Sequence, residues 1–441
     1  MPKTSRPVQA NQNGPDQKVA PKTVLASLGP GLITGAADDD PSGIATYSQV
    51  GAVFGYSMLW TMLFSFPLMA AIQEICARLG RITGVGLAAN LKRVYPNYVA
   101  YSVVSLLCAA NLFNLGADIS AMASAAKLLV PGPAAAFAVG FGGLSLLLQV
   151  FIPYRKYVQY LRWLTWSLFA YFITAFLIHV PWRLAIRLTL VPSISLDTPY
   201  LMALVGVLGT TISPYLFFWQ TSEEAEEVRV RPQEAPLRKK PWQASASFRR
   251  IALDTRTGMG FSNLIGYFII LTTAATLHGS KSATMIQSSA DAAKALEPLA
   301  GKSAFLLFAL GIIGTGMLAV PVLAGSAAYA VAELFHWRAS LDHKPGQAPK
   351  FYAVLAIAII MGIGLNFLGI DPIRALYLSA VLNGIVAVPL MFLIMLMAAN
   401  TAVVRQFRLP AYLRIAGWFA TGAMLMASVF FIASAIRQAL R

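Results

Sequence analysis

The sequence predicts an all-α integral membrane protein of about eleven transmembrane helices, set out as two five-helix halves with broken first and sixth helices. Three observations carry this. Of the 441 residues, 57% are hydrophobic and only 12% are charged, whereas a soluble domain carries about 25% charged residues. The apolar residues come in long blocks, and the mean hydropathy is +0.64. Two of the blocks are interrupted by proline in polar sequence, at matching places five spans apart. A water-soluble enzyme of this size needs far more polar surface, and the block pattern excludes collagen, coiled-coil and disordered classes.

Taken in order, residues 1–23 are polar, with Lys3, Arg6, Lys18 and Lys22. They have no short apolar core or small-residue cleavage site, so a disordered cytoplasmic tail is expected rather than a signal peptide. Apolar blocks follow at 25–54, 57–78, 99–126, 133–152, 158–180, 199–219, 259–278, 303–331, 351–370, 375–399 and 413–436. Each approaches the roughly 20 residues that a spanning helix needs. All are rich in Leu and Ala and lack the roughly ten-residue alternating segments of an outer-membrane barrel. The expected organisation is a first repeat over 24–182, a second over 198–400 and an eleventh helix with the C-terminus over 401–441. Cys76 and Cys108 lie inside apolar runs, which suits buried packing residues and not a disulfide framework.

Charge sets the orientation. With the N-terminus inside, the inner segments are 1–24, 73–95, 153–162, 229–256, 332–350 and 400–414, and they hold 25 of the 34 Lys and Arg. The positive-inside rule then places the N-terminus in the cytoplasm, and an odd span number places the C-terminus outside. The same bias accounts for the net charge of +16 without a nucleic-acid partner. The basic loop 229–256 is expected to be a cytoplasmic connector, with contact to anionic lipid as the lesser role.

The first break lies in Gly35-Ala36-Ala37-Asp38-Asp39-Asp40-Pro41-Ser42-Gly43, the sixth in Gly209-Thr210-Thr211-Ile212-Ser213-Pro214-Tyr215. Pro41 and Pro214 donate no backbone hydrogen bond and disfavour helix at Asp40 and Ser213. Non-helical backbone at membrane depth survives only where it lines a cavity or is buried in protein. Paired broken helices in two halves are the sequence pointer to a transporter's substrate site. An intramembrane carboxylate is costly and a functional candidate by default. Three adjacent ones cannot all face one ion. Asp40, abutting Pro41, is favoured; the plainer reading, solvated groups near a surface, is the lesser one for the trio and weighs more for Asp38 and Asp39 individually. Carboxylate, hydroxyls and freed carbonyls make an oxygen-rich site, which suits hard cations such as Mg²⁺, Ca²⁺ or Mn²⁺.

At these residues the chain resembles the natural resistance-associated macrophage protein (NRAMP) family of divalent-metal transporters. The resemblance runs over roughly 25–435 and rests on Gly29-Pro30-Gly31, Asp40-Pro41, Phe54-Gly55-Tyr56 with Leu59-Trp60, Gln73, Ala77-Arg78-Leu79-Gly80, and the run Gly206 to Thr210 leading to Pro214. It implies a leucine-transporter-type fold of two inverted five-helix repeats and alternating access to a midplane ion. The family's Asp-Pro-Gly-Asn becomes Asp40-Pro41-Ser42-Gly43, so the Asn ligand is replaced by Gly43. Its Met-Pro-His becomes Ser213-Pro214-Tyr215, so the thioether ligand becomes a hydroxyl and the histidine a phenol. Thr210 takes the position whose carbonyl ligates metal, and Asp118 matches the first member of an acidic pair whose second is Ala121 here. These departures are similar to those of the NRAMP-related magnesium transporters. Mg²⁺ retains several waters and fits a site with few side-chain ligands, with Mn²⁺ a close second.

The expected function is therefore alternating-access transport of a hard divalent cation, Mg²⁺ or Mn²⁺, with weak or no proton coupling along Asp118 and Tyr215. The alternatives are a proton-coupled Mn²⁺/Fe²⁺ symporter of the standard family type, a sodium-coupled organic-solute symporter of the same fold, and an intramembrane enzyme pairing Asp40 with Asp118. No enzyme activity is expected, no cofactor beyond the transported ion, and no partner beyond the bilayer and the ion. The chain is expected to act as a monomer in the plasma (inner) membrane. Glu223, Glu224, Glu226 and Glu227 read as a solvated helix end, or else as a cation-drawing vestibule. His179, His278, His336 and His343 have no metal-ligand spacing. Asn263 and Asn383 are expected to bond across helices as packing groups. Trp219 suits either packing or a vestibule. No P-loop, dinucleotide turn or nucleophile elbow is present in the sequence, so nothing supports ATP-driven pumping.

Overall fold

The computed structural model describes residues 30–152, 166–230, 233–279, 286, 288–341 and 344–440. The tail 1–23, the whole inner segment 153–162 and His343 lie outside the described residues. Within them all regular structure is helical, as the apolar blocks require.

The first span is two helices, α1 (Pro30–Asp38) and α2 (Pro41–Phe54). Then come α3 (Trp60–Thr83), a short α4 (Leu87–Val94), α5 (Asn97–Lys127) and α6 (Ala134–Phe151). The fifth span shows α7 (Phe169–Leu177) and α8 (Trp182–Leu190), and the sixth is again split, into α9 (Thr198–Thr211) and α10 (Pro214–Val230). The rest are α11 (Ala244–Thr276), α12 (Ala304–Leu334), α13 (Pro349–Leu365), α14 (Pro372–Ala399) and α15 (Ala411–Ala439). Nine helices among the described residues are long and apolar enough to cross a membrane. A tenth span arises if Trp166–Leu177 and Trp182–Leu190, bent by 120° at Pro181, count as one. With the broken first span added, the number meets the eleven expected.

Two four-span groups make up the bundle. In one, α1 and α2 pack on α11, α3 packs on α10 and α11, and α9 packs on α2. In the other, α5 packs on α6, α12 and α13. The crossing helix α14 joins them through α5, α9 and α2, and α15 closes over α3, α9 and α14. The two groups meet at the breaks.

The structure corrects two expectations at the basic end. The sixth span does not stop near residue 219: α10 runs on to Val230, and α11 begins at Ala244, inside the expected loop 229–256. The four glutamates of α10 are therefore not a solvated helix end; Glu224 is 0% exposed and Glu226 4%. Burial is tolerable because each charge is met by groups remote in sequence. Arg250 on α11 reaches Glu224 at 2.7 Å and Glu227 at 3.0 Å. The hydroxyls of Tyr329 and Ser340 donate to Glu226. Nearby, Ser222 donates to Glu333 at 2.9 Å, and Glu74 pairs with Arg78 at 2.7 Å and Arg256 at 3.1 Å.

Close helix approach depends on small residues, as it does in membranes generally. At the α9–α14 crossing a Cβ on Gly209 would stand 2.1 Å from the Ala380 carbonyl oxygen and 2.4 Å from the Gly384 nitrogen. Backbone atoms cannot yield as a flexible side chain does, so Gly209→Ala is expected to force the helices apart at a cost of about 1–3 kcal/mol. Gly143→Ala, with nothing within 4 Å of its Cβ, is the control. Thermal unfolding of the purified protein should show a lowered midpoint for Gly209→Ala and none for Gly143→Ala; equal midpoints for both would contradict the packing described.

Candidate functional site

The first break is organised by one carboxylate. Pro41 starts α2 and Asp40 is its N-cap: Asp40 Oδ1 accepts from the Gly43 amide at 2.7 Å and from the Ser42 hydroxyl at 2.7 Å. A helix N-terminus at membrane depth has amides with no water to satisfy them, so this cap meets an obligatory need. The other oxygen, Oδ2, points across the bundle. It accepts from the Asn114 amide on α5 at 3.0 Å and lies 3.4 Å from the Tyr215 hydroxyl on α10.

The sixth-span break uses a hydroxyl instead. Ser213 Oγ lies 2.8 Å from the Thr210 carbonyl and 3.0 Å from that of Gly209, holding acceptors that the helix ending at Thr211 leaves without a partner. Tyr215 stitches the two breaks together, donating to the Ala37 carbonyl at 3.0 Å, at the end of α1. Gly43 closes the gap from the other side: a Cβ there would stand 3.0 Å from Thr210 Oγ1, 3.5 Å from the Asp38 carbonyl and 3.5 Å from the Tyr47 ring. The place of the missing asparagine side chain is thus lined by a hydroxyl, a carbonyl and an aromatic edge. Asp40, Thr210 and Ser213 are each 2% exposed or less.

Of the residues singled out in the sequence, the structure brings together Asp40, Gly43, Thr210, Ser213 and Tyr215, with Pro41 and Pro214 each opening a half-helix. Asp118 stands one layer behind, 3.4 Å from the Asn114 amide that serves Asp40, and Ala121 is buried one turn along α5. Asp38 and Asp39 are not near a surface: they are 0% and 3% exposed and turn to α11, where Ser262 Oγ lies 2.6 Å from Asp38 and 3.0 Å from Asp39. Asn263 bonds Ser65 at 3.2 Å across helices, whereas Asn383 on α14 donates at 3.4 Å to Asn114 and so joins the polar group around Asp40. Trp219 is fully buried, and His278 Nδ1 lies 3.0 Å from the Ala52 carbonyl. Sequence reasoning missed Asn114. Its signal was an amide four residues before Asp118 on one helix face, in an otherwise apolar run. Among the described residues no three His, Cys, Asp or Glu side chains converge as a metal cage. What the breaks bring together is one carboxylate with carbonyl and hydroxyl oxygens, donor types that suit a hard cation.

Comparison with known proteins gives the family and the fold. A divalent metal cation transporter MntH of Acidiphilium cryptum is 26% identical over 378 residues, covering 84% of this chain and 82% of that protein. A protein of the same name from Klebsiella pneumoniae is 24% identical over 409 residues, covering 91% and 92%. Among solved structures, the Eremococcus coleocola manganese transporter superposes with a TM-score of 0.72 at 19% identity, covering 96% of this chain and 88% of that one. The nucleobase-cation-symport-1 family transporter Mhp1 gives 0.54 at 14% identity, covering 93% of each. The fold is that of the leucine-transporter type, with broken first and sixth helices. Residues 31–434 match the natural resistance-associated macrophage protein-like family, and the chain belongs to that family.

Proposed function

We propose that this protein moves hard divalent cations, Mg²⁺ or Mn²⁺, across the membrane by alternating access at the paired breaks, with weak or no proton coupling. One observation carries the reading. Asp40 Oδ2 accepts from the Asn114 amide and lies against the Tyr215 hydroxyl between the two breaks, so the groups that meet it there are an amide and an oxygen. Hard cations favour such donors, whereas softer ions gain from sulfur and nitrogen. The names of the relatives support divalent-cation transport, and a manganese transporter shares the fold.

On this reading a cycle follows. The ion replaces Asn114 and Tyr215 at Asp40 Oδ2, while Gly43 and Ser42 keep Oδ1 and so hold the cap. Releasing Tyr215 from Asp40 and Ala37 uncouples α10 from α1, which are the half-helices at the basic, cytoplasmic end. With Ala121 and Tyr215 in place of titrating groups, a proton has no continuous route. Downhill flux then draws on the metal gradient and on voltage, worth about 2.3 kcal/mol per charge per 100 mV and roughly twice that for a divalent ion.

Uptake into proteoliposomes containing a metal-sensitive and a pH-sensitive dye tests both parts. Wild type is expected to take up Mg²⁺ and Mn²⁺ with no matching change in internal pH, and Asp40→Ala to lose uptake; Asp40→Asn, which keeps a capping oxygen for α2 and removes the charge, is expected to lose uptake while reconstituting normally. Normal uptake by Asp40→Ala, or uphill metal accumulation driven by a proton gradient at zero voltage, overturns the reading.

Ion choice follows from the hydroxyl at Ser213. Ser213→Met places a thioether at the second break and is expected to raise Cd²⁺ affinity by about tenfold relative to Mg²⁺, the effect of one added soft ligand. Competition of Cd²⁺ against Mn²⁺ uptake reads it; strong Cd²⁺ competition in wild type, unchanged by the substitution, contradicts it.

A further inference from the structure

Asp38 and Asp39 are held by a different partner from Asp40, the Ser262 hydroxyl of α11. The α1–α11 crossing puts them there. A Cβ on Gly35 would stand 2.3 Å from the Gly258 carbonyl carbon and oxygen, so the two helices touch backbone to backbone. One turn further along each, Asp38 and Ser262 meet.

The hydrogen bonding at that meeting is incomplete. Ser262 has one hydroxyl proton, yet its oxygen lies within 3.0 Å of a carboxylate oxygen from each aspartate. It donates to one and leaves the other facing a lone pair. Asp38 Oδ1 has no partner at all, although Asp38 is fully buried. Three oxygens from three residues therefore converge, with a fourth acceptor idle beside them. Asp38 also ends α1, where unpaired carbonyls and the helix dipole add negative potential.

Charge makes the same demand. Asp38, Asp39, Asp40 and Asp118 are all 3% exposed or less. Among the described residues, the ion pairs of Lys and Arg go to Glu74, Glu224, Glu227, Glu234 and Asp291, and none to these four. A buried carboxylate without a counter-charge takes up a proton or gains from a bound cation.

We propose that Asp38, Asp39 and Ser262 form a second cation site between α1 and α11, which holds a small hard cation while the transported ion sits at Asp40. Oxygen-only donors and two carboxylates suit Na⁺ or a second divalent ion such as Mg²⁺. Because Asp38 and Asp39 straddle the end of α1, the bound cation ties that half-helix to α11.

The test is binding to the purified full-length protein in the Asp40→Ala background, so that it stands apart from occupancy of the transport site. One arm titrates MgCl₂ calorimetrically in sodium-free choline buffer; the other measures ²²Na⁺ binding by scintillation proximity. Asp40→Ala is expected to retain one saturable cation site, seen in one arm or the other. Adding Asp38→Asn and Asp39→Asn should remove it. Ser262→Ala, which withdraws one oxygen and alters no charge, should weaken it by about tenfold, the worth of one such contact. No saturable binding of either ion to Asp40→Ala overturns the proposal. So does a site whose affinity is unchanged in Ser262→Ala.

Discussion

The structure depends on how a broken helix is satisfied at membrane depth. Two spans give up their hydrogen-bond ladder midway, and no water is present there to take up the freed groups. At the first break the carboxylate of Asp40 meets the need. It caps α2 with one oxygen and reaches α5 and α10 with the other. The cap fixes where that second oxygen points. A charge that is costly to bury is thereby kept where the two halves of the fold meet, and an arriving cation finds an oriented acceptor.

The sixth-span break meets the same constraint by different chemistry. Ser213 folds back on the carbonyls of Gly209 and Thr210, so this half of the site presents neutral oxygens. The pair is therefore asymmetric, one anionic side and one dipolar side, joined by the Tyr215 hydroxyl. On the function proposed above, an ion held mainly by one carboxylate and by dipoles is held loosely enough to leave. At the basic end, by contrast, Arg250 with Glu224 and Glu227 ties α10 to α11 through buried charge.

Much of this is legible in the sequence, for physical reasons that differ by region. Long apolar blocks predict spans because the bilayer demands them, and Pro41 and Pro214 predict the breaks because proline cannot continue the ladder. Asp40 is legible because it precedes Pro41. The four glutamates of α10 were misread because burial of a charge depends on its partners. Arg250 lies more than twenty residues away from them, and Tyr329 and Ser340 more than a hundred from Glu226. The setting of Asp38 and Asp39 was hidden for the same reason: the approach of Gly35 to Gly258 brings Ser262 to them. Asn114 and Asn383 look like isolated amides in apolar helices until the helices cross. What local pattern does not encode is the contact between remote segments, and the polar groups in this bundle are defined by such contacts.

The claim at the centre of this account is that Asp40 Oδ2 is where the transported ion is met. A crystal of the protein soaked in Mn²⁺ and measured at the manganese absorption edge tests it directly. The account predicts an anomalous peak within about 2.5 Å of an Asp40 carboxylate oxygen, on the side facing Thr210 and Ser213, with Tyr215 moved off Asp40. Manganese bound elsewhere in the bundle, with Asp40 still bonded to Asn114 and Tyr215 and no peak beside it, would contradict it.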